Sequence, residues 1–276
     1  MSTGKILPRR LIGQTGIEVS CLGLGTVKFG RNTGVKYPQG FELPDDSDVQ
    51  QILRLAHELG INLIDTAPAY GSSEERLGRL LEQRHDWVIC TKVGEEFEQG
   101  NSSYDFSAAH VRASVERSLQ RLHTDYLDLV LVHSDGKDMD IINNSDCFAE
   151  LQRFRERGLI RAFGMSTKTA AGGIAALEHS DLVMVTYNPA EVAEKSVLDR
   201  AFQLNKGVLI KKALNSGHSI GAPAAEQNAA GMDPVQRSME FIFSHPAVSA
   251  VIIGTINPLH IVHNVNAAAQ ASSPVS

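Results

Sequence analysis

Eight short apolar runs, each followed by a segment with helical spacing or by a loop that leads into one, limit most strongly what this chain can fold into. The runs are 19–26 (VSCLGLGT), 61–64 (INLI), 87–91, 126–132 (YLDLVLV), 160–165, 182–186, 207–210 and 248–253. They are rich in Val, Ile and Leu and show little polar alternation, as strands buried on both faces do. Between them, apolar positions recur at three- and four-residue steps: Val49, Ile52, Leu53 and Ala56; Leu77, Leu80 and Leu81; Val111, Val115, Leu119 and Leu122. These steps predict helices, with Ser107 as a cap and Gly60 and Gly158 as stops. Further helices are predicted over 146–157, 168–178, 194–204 and 234–243, and from Asn257 onward. A doubly wound sheet alternates in the same way but usually with about five or six strands. Eight favours an α/β chain folded as a single (β/α)8 barrel over 1–276, and the 276 residues suit a barrel of roughly 250. Ahead of it, Leu11-Ile12 and Ile17 to Ser20 flank Gly13 to Gly16, which predicts an N-terminal β-hairpin. Residues 28–44, 94–106 and 214–233 read as polar loops, and 271–276 as a disordered tail.

Composition removes several partner classes. The net charge is −6 and there is no long basic run, which argues against nucleic acid and anionic membrane. No apolar run approaches the roughly 20 residues of a membrane span. Residues 1–10 lack the apolar core of a signal peptide. Three cysteines (Cys21, Cys90, Cys147) are few and odd in number, and are read as reduced thiols of a cytoplasmic protein.

In a parallel barrel all strand C-termini open on one face, where such proteins keep their chemistry. The stretch 61–76, INLIDTAPAYGSSEER, puts Asp65 at a strand end and Tyr70 on the following loop; Ser72 and Glu75 have capping-box spacing for the next helix. Lys92 ends the third strand and His133 the fourth. Alone, each has an ordinary reading: a solvated lysine, a hydrogen-bonded core histidine, a turn-forming aspartate. On adjacent strands the four make a coherent set. A phenol titrates near about 10, and an adjacent ammonium lowers that value. Asp65 can serve as the counter-ion that a lysine in the mouth requires, and a neutral histidine can donate a hydrogen bond to a substrate oxygen. Such a group suits protonation of an oxygen as hydride reaches its carbon. His260 and His263 have i, i+3 helical spacing, but no third ligand accompanies them, so no metal site is expected.

The motif DTAPAYGSSE at 65–74, the strand end TK at 91–92 and LVH at 131–133 resemble the aldo-keto reductase family in order and spacing, and the resemblance covers nearly the whole chain. It implies an NAD(P)H-dependent oxidoreductase that reduces an aldehyde or ketone to an alcohol, or the reverse. In that scheme Tyr70 is the general acid/base, Lys92 tunes it, Asp65 pairs with Lys92 and His133 orients the carbonyl. It further implies NADP(H), or NAD(H), held in an extended pose without a Rossmann fingerprint; Gly23-Leu24-Gly25 lacks the third glycine of GxGxxG. The cofactor-binding positions implied are Gly25, Thr26, Ser166, Thr167, Lys211, Lys212, Leu214, Ser216, Gly254, Thr255, Asn257, His260 and Asn264. Thr167 replaces the family's usual Asn, Met184 a Gln, Lys211 the aromatic that stacks on nicotinamide, and His260 an Arg that meets the 2′-phosphate. The expected partner is a small carbonyl or alcohol compound, in a pocket to which Tyr37, Phe41, Phe97, Tyr104 and Phe106 lend apolar surface. Two other functions fit the same residues. One is a cofactor-binding regulatory or redox-sensing protein with little turnover. The other is a Schiff-base aldolase with Lys92 as nucleophile.

Overall fold

The structure, a computed structural model, describes residues 7–35, 40–214 and 233–272. In chain order it begins with β1 (Arg9–Leu11), β2 (Glu18–Ser20), β3 (Leu22–Gly25), α1 (Val27–Gly30), α2 (Asp46–Glu58), β4 (Leu63–Asp65) and a 3-10 turn at Pro68–Tyr70. Then come α3 (Ser73–Leu80), β5 (Val88–Val93), β6 (Glu95–Glu98), β7 (Asn101–Tyr104), α4 (Ala108–Arg121) and β8 (Leu127–His133). The chain continues through α5 (Asp138–Asn144), α6 (Cys147–Glu156), β9 (Ile160–Ser166), α7 (Ala170–His179), β10 (Leu182–Thr186) and α8 (Lys195–Leu204). It ends with β11 (Gly207–Lys211), α9 (Pro234–Phe243), β12 (Val248–Ile253) and α10 (Pro258–Ala271).

Strands β3, β4, β5, β8, β9, β10, β11 and β12 pair in that order, all in parallel, and β12 pairs back to β3 to close the barrel. The predicted (β/α)8 barrel is thus the observed fold. The predicted hairpin is also present: β1 and β2 are antiparallel, with Arg9 opposite Ser20. It has a packing role. Ile12, Ile17 and Val19 join the apolar cluster inside the barrel, and Ile12 abuts Gly207 at the start of β11. The hairpin therefore plugs the end opposite the strand C-termini.

Period-two alternation sorts each strand's side chains between two cores. Leu63, Cys90, Leu129, Leu131, Ala162, Leu182, Met184, Leu209 and Ile252 fill the barrel interior, while Ile64, Ile89, Val130, Val132, Phe163, Val183, Val208 and Val251 meet the helices. The same parity aims the last residues inward. Asp65 lies two after Leu63, Lys92 two after Cys90, His133 two after Leu131, Ser166 four after Ala162 and Lys211 two after Leu209.

Five local readings change, the first being that the loop expected over 28–44 begins inside a short helix, α1. The polar loop expected over 94–106 is an antiparallel hairpin, β6–β7, with Glu95 opposite Tyr104 and Glu98 opposite Asn101. Its two-residue turn has positive φ at both Gln99 (50°) and Gly100 (85°), which matches the twist of the flanking strands. The predicted capping box at 72–75 does not form. Ser72 makes no side-chain cap bond, and Glu75 turns to Arg121 at 3.3 Å. Its neighbour Ser73 instead donates to Thr26 Oγ1 at 2.8 Å, which pins α3 to the end of β3. Helix α5 has no counterpart in the sequence reading; its first residue, buried Asp138, accepts from the backbone of Lys168 and Thr169 at 3.0 and 2.8 Å. Ala271 ends α10, and Ser272, read from sequence as tail, is buried with its hydroxyl bonded to Ala268 O at 2.5 Å. Residues 273–276, most of the loop 214–233, and Tyr37 lie outside the described residues. No helix among the described residues is long and apolar enough to cross a membrane.

Candidate active site

Lys92 and Asp65 form the centre of the mouth. Lys92 Nζ donates to Asp65 Oδ1 at 2.6 Å and to Thr66 O at 2.8 Å, with the two residues 1% and 3% exposed. Burial alone would lower the Lys92 pKa, but the Asp65 carboxylate and the Tyr70 oxygen outweigh it and hold the amine protonated. The Tyr70 phenol completes the triangle: Lys92 Nζ lies 3.3 Å from Tyr70 Oη, which lies 3.4 Å from Asp65 Oδ2. Tyr70 is carried by the 3-10 turn and Gly71 (φ 61°, ψ −125°), where a Cβ would collide with Gly30 O. Gly30 is equally tight, since its own Cβ would strike Tyr70 O and Ser73 N. The turn that presents the phenol is thus held backbone against backbone on the end of α1.

His133 stands beside the triangle, its ring edge-on to Tyr70 with centroids 6.4 Å apart. Its Nδ1 is 2.8 Å from Glu95 Oε2, with the carboxylate off the straight N–H line. Burial lowers the His133 pKa by more than Glu95 raises it, and Lys92 and Lys211 push the same way as burial, so the ring is neutral near pH 7. Glu95 was not among the sequence-derived site residues. It opens the unpredicted hairpin, and the Gln99-Gly100 pair was the signal available for it. Arg31 was also missed. Its guanidinium lies 3.4 Å from the Phe97 ring centroid, donates to Ala69 O at 3.0 Å and reaches Glu95 at 3.9 Å, so it ties the β6–β7 hairpin to the Tyr70 turn.

The cofactor-binding positions divide. Ser166, Thr167 and Lys211 come together: Lys211 Nζ donates to Ser166 Oγ at 2.9 Å and to Thr167 O at 2.6 Å. Burial pushes the Lys211 amine down to about 8 against the raising effect of Glu194, with Lys212, Lys92 and Lys168 adding repulsion. Near pH 8, Lys211 is therefore expected to react with a small acylating reagent ahead of its exposed neighbour Lys212, as read by peptide mass spectrometry; preferential labelling of Lys212 would contradict it. Thr167 Oγ1 is 3.3 Å from Glu194 Oε1, and the other oxygen of Glu194 accepts from Thr186 N at 2.8 Å, so Thr167 also braces β9 against β10. Thr26 is fully buried, donates to Asp65 O at 2.9 Å and accepts from Ser73, which makes it a structural pin. Gly25 packs against Ile252 and Gly254. Met184 points into the barrel core. Lys212 takes a left-handed conformation (φ 54°), its carbonyl bonded by Asn188 Nδ2 at 3.0 Å, and Leu214 is buried. Gly254, Thr255 and Asn257 lead into α10, where Asn257 Oδ1 caps Leu259 N at 3.0 Å; Asn264 is buried and His260 exposed on that helix. Ser216 lies outside the described residues. His263 pairs with Asp233 at 2.6 Å, and no cluster able to hold a metal ion occurs among the described residues.

The loop aromatics are engaged in packing. Tyr104 and Phe106 stack at 6.3 Å, Phe97 lies under Arg31, and the Lys28 ammonium is 4.8 Å from the Phe41 ring. The three cysteines are buried free thiols.

A closed parallel barrel with its buried ion pair and phenol at the strand C-termini places this chain among the (β/α)8 proteins whose polar site sits at that mouth. Residues 21–222 match the Aldo/keto reductase family, and the chain belongs to it. A crystal structure of an aldo-keto reductase assigned to Pseudomonas aeruginosa shares 54% identity and a TM-score of 0.85, covering 96% of each chain. The uncharacterized oxidoreductase YqkF of Bacillus subtilis is 26% identical over 94% of this chain and 90% of its own length. The NADH-specific methylglyoxal reductase of Escherichia coli is 31% identical over 70% of this chain, a match that spans 60% of that protein.

Proposed function

We propose that this chain moves a hydride between a nicotinamide dinucleotide and a small carbonyl or alcohol compound, with Tyr70 as general acid/base. The Lys92 triangle supports this most directly: a charged amine 3.3 Å from the phenol oxygen, itself neutralised by Asp65 at 2.6 Å. That ammonium stabilises the phenolate, so Tyr70 can release a proton to a carbonyl oxygen in reduction and take it from a hydroxyl in oxidation. Asp65 keeps the pair overall neutral, so only the phenol changes charge. A lysine held protonated in this way is a poor Schiff-base nucleophile, which disfavours the aldolase reading.

The residues suit the dinucleotide. The N-terminus of α10, led by Gly254, Thr255 and Asn257, offers backbone N–H groups to a phosphate. Lys211 and Lys212 add positive charge at and just past the end of the neighbouring strand, and Ser166 Oγ and Thr167 offer polar atoms at the end of β9. When bound there, the nicotinamide would supply or accept the hydride. NADP(H) is the proposed cofactor and NAD(H) its competitor. Exposed His260 is a weaker partner for a 2′-phosphate than Arg, and the E. coli relative is named NADH-specific. Fluorescence titration with NADPH and NADH, followed by steady-state assay with methylglyoxal, is expected to show saturable binding and consumption of reduced cofactor. Binding without turnover would favour the redox-sensing role. Absence of both would sink the oxidoreductase reading.

A further inference from the structure

We propose that Lys211 selects the redox state of the cofactor: its ammonium, held at the barrel mouth by neutral partners, favours the neutral reduced nicotinamide over the cationic oxidised ring, so that the site loads reduced dinucleotide and releases the oxidised form. This rests on the oxidoreductase reading above and deepens it by giving Lys211 a specificity role toward the cofactor.

The two lysines of the mouth differ in how their charge is met. Lys92 has the Asp65 carboxylate at 2.6 Å, so that pair is neutral overall. Lys211 is held by uncharged groups, Ser166 Oγ at 2.9 Å and Thr167 O at 2.6 Å, and among the described residues no carboxylate forms an ion pair with it. Glu194 acts on it only from a distance, and the two oxygens of that carboxylate are engaged by Thr186 N at 2.8 Å and Thr167 Oγ1 at 3.3 Å. Lys211 is half-buried, so its charge is only partly screened by water.

Strand register places this charge. Lys211 ends β11, reaches across β10 and bonds to Ser166 on β9, the register partner of His133 on β8. Neighbouring strands lie about 4.8 Å apart. The ammonium therefore lies near His133, and its field reaches both His133 and Lys92. Hydride transfer to a carbonyl whose oxygen meets Tyr70 needs the reacting atoms about 3–3.5 Å apart. A ring that supplies the hydride thus shares the mouth with Lys211.

In reduction the carbonyl carbon gains the hydride, its oxygen gains the Tyr70 proton, and the nicotinamide is left with a positive charge. Lys211 meets a neutral ring before the transfer and a cation after it. A unit charge a few ångströms away in a half-buried site is worth at least about tenfold in affinity. Tighter binding of the reduced form raises the potential of the bound couple by about 30 mV per tenfold. Lys211 therefore serves loading and release, and does not speed the hydride step.

The selectivity carries a pH signature. The charged groups acting on the amine are Glu194 ahead of α8, Lys212 beside it, Lys92 from β5 and Lys168 after β9. Burial and the three lysines bring the amine down to about 8 against Glu194, so the charge is present near neutral pH and is lost as pH rises through that value. His133 stays neutral throughout that range. The Tyr70 phenol is the other group at the mouth that sheds a proton in alkali, and its phenolate would favour the oxidised ring in the same direction, so it sets the control.

Dissociation constants of the reduced and oxidised forms of NADP and NAD, measured without substrate by fluorescence and calorimetry from about pH 6.5 to about pH 9.5, test this. The 2′-phosphate is common to both forms of NADP and cancels in their ratio. In the wild type the oxidised form is expected to bind at least about tenfold more weakly near pH 7, with the ratio falling by about tenfold across the range. In K211M the ratio should drop by about tenfold near pH 7, through tighter binding of the oxidised form, and become flat with pH. In Y70F the wild-type pH dependence should persist. A flat wild-type ratio, a pH dependence that survives K211M, or one abolished by Y70F overturns the proposal. Equal weakening of both forms in K211M makes Lys211 a phosphate ligand and also overturns it. If K211M does not fold, the wild type and Y70F decide. Binding of both forms without preference defeats this proposal alone. Binding of neither defeats the oxidoreductase reading, and the selectivity with it.

Discussion

Tyr70→Phe is expected to lower turnover by about 10²–10⁴-fold and to leave binding of the nicotinamide cofactor nearly unchanged. The substitution removes one oxygen and keeps the ring. That oxygen lies 3.3 Å from Lys92 Nζ and 3.4 Å from Asp65 Oδ2, so in the proposed reaction it is the atom that would couple the buried ion pair to a substrate oxygen. The rest of the mouth should persist, because Lys92 keeps its two short bonds to Asp65 and Thr66. Steady-state rates and fluorescence titration on the same preparation test both halves. Turnover retained within a few-fold would remove Tyr70 as the acid. Lost turnover together with lost cofactor binding would point to a collapsed mouth instead.

Lys92→Met is expected to be costly to stability as well as to rate. The ammonium is the partner of a carboxylate only 3% exposed, and it also satisfies Thr66 O at 2.8 Å. Removing one member of a buried pair leaves an uncompensated charge and typically costs about 3–5 kcal/mol. Urea unfolding should show a loss of that order, against a small change for Tyr70→Phe. The double variant Lys92→Met/Asp65→Leu separates the two effects. With both charges gone, most of the stability should return while turnover stays near that of Lys92→Met. If the double variant were as unstable as the single, the ion pair would not be the source of the loss. If it recovered turnover, Lys92 would have no part in tuning Tyr70.

Much of the candidate site was legible because a strand's end is a local feature, and the structure adds the parity that aims it. Leu63-Ile64-Asp65, Cys90-Thr91-Lys92 and Leu131-Val132-His133 each step inward, outward, inward, so an apolar residue two positions earlier indicates where the polar one points. Helix caps were legible where the cap residue had no competing partner: Ser107 Oγ accepts from His110 N at 3.2 Å, as predicted. The capping box at Ser72 failed because its neighbour Ser73 is bound to Thr26 and Glu75 to Arg121, both distant in sequence. The β6–β7 hairpin was hidden by strands of mostly polar residues, EEFE and NSSY, in which no apolar alternation signals a strand.

Sequence alone determined the barrel, the face that carries the candidate site and the residue types gathered there, since periodicity and strand ends are properties of neighbouring residues. Only the tertiary structure decided the pairings across strands. Closure and register bring Lys211 onto Ser166 and Thr167 and turn Met184 into the core. They also set Glu95 against His133 at 2.8 Å. A hydrogen bond between residues 45 positions apart depends on angstrom-scale registry, which short-range patterns do not encode.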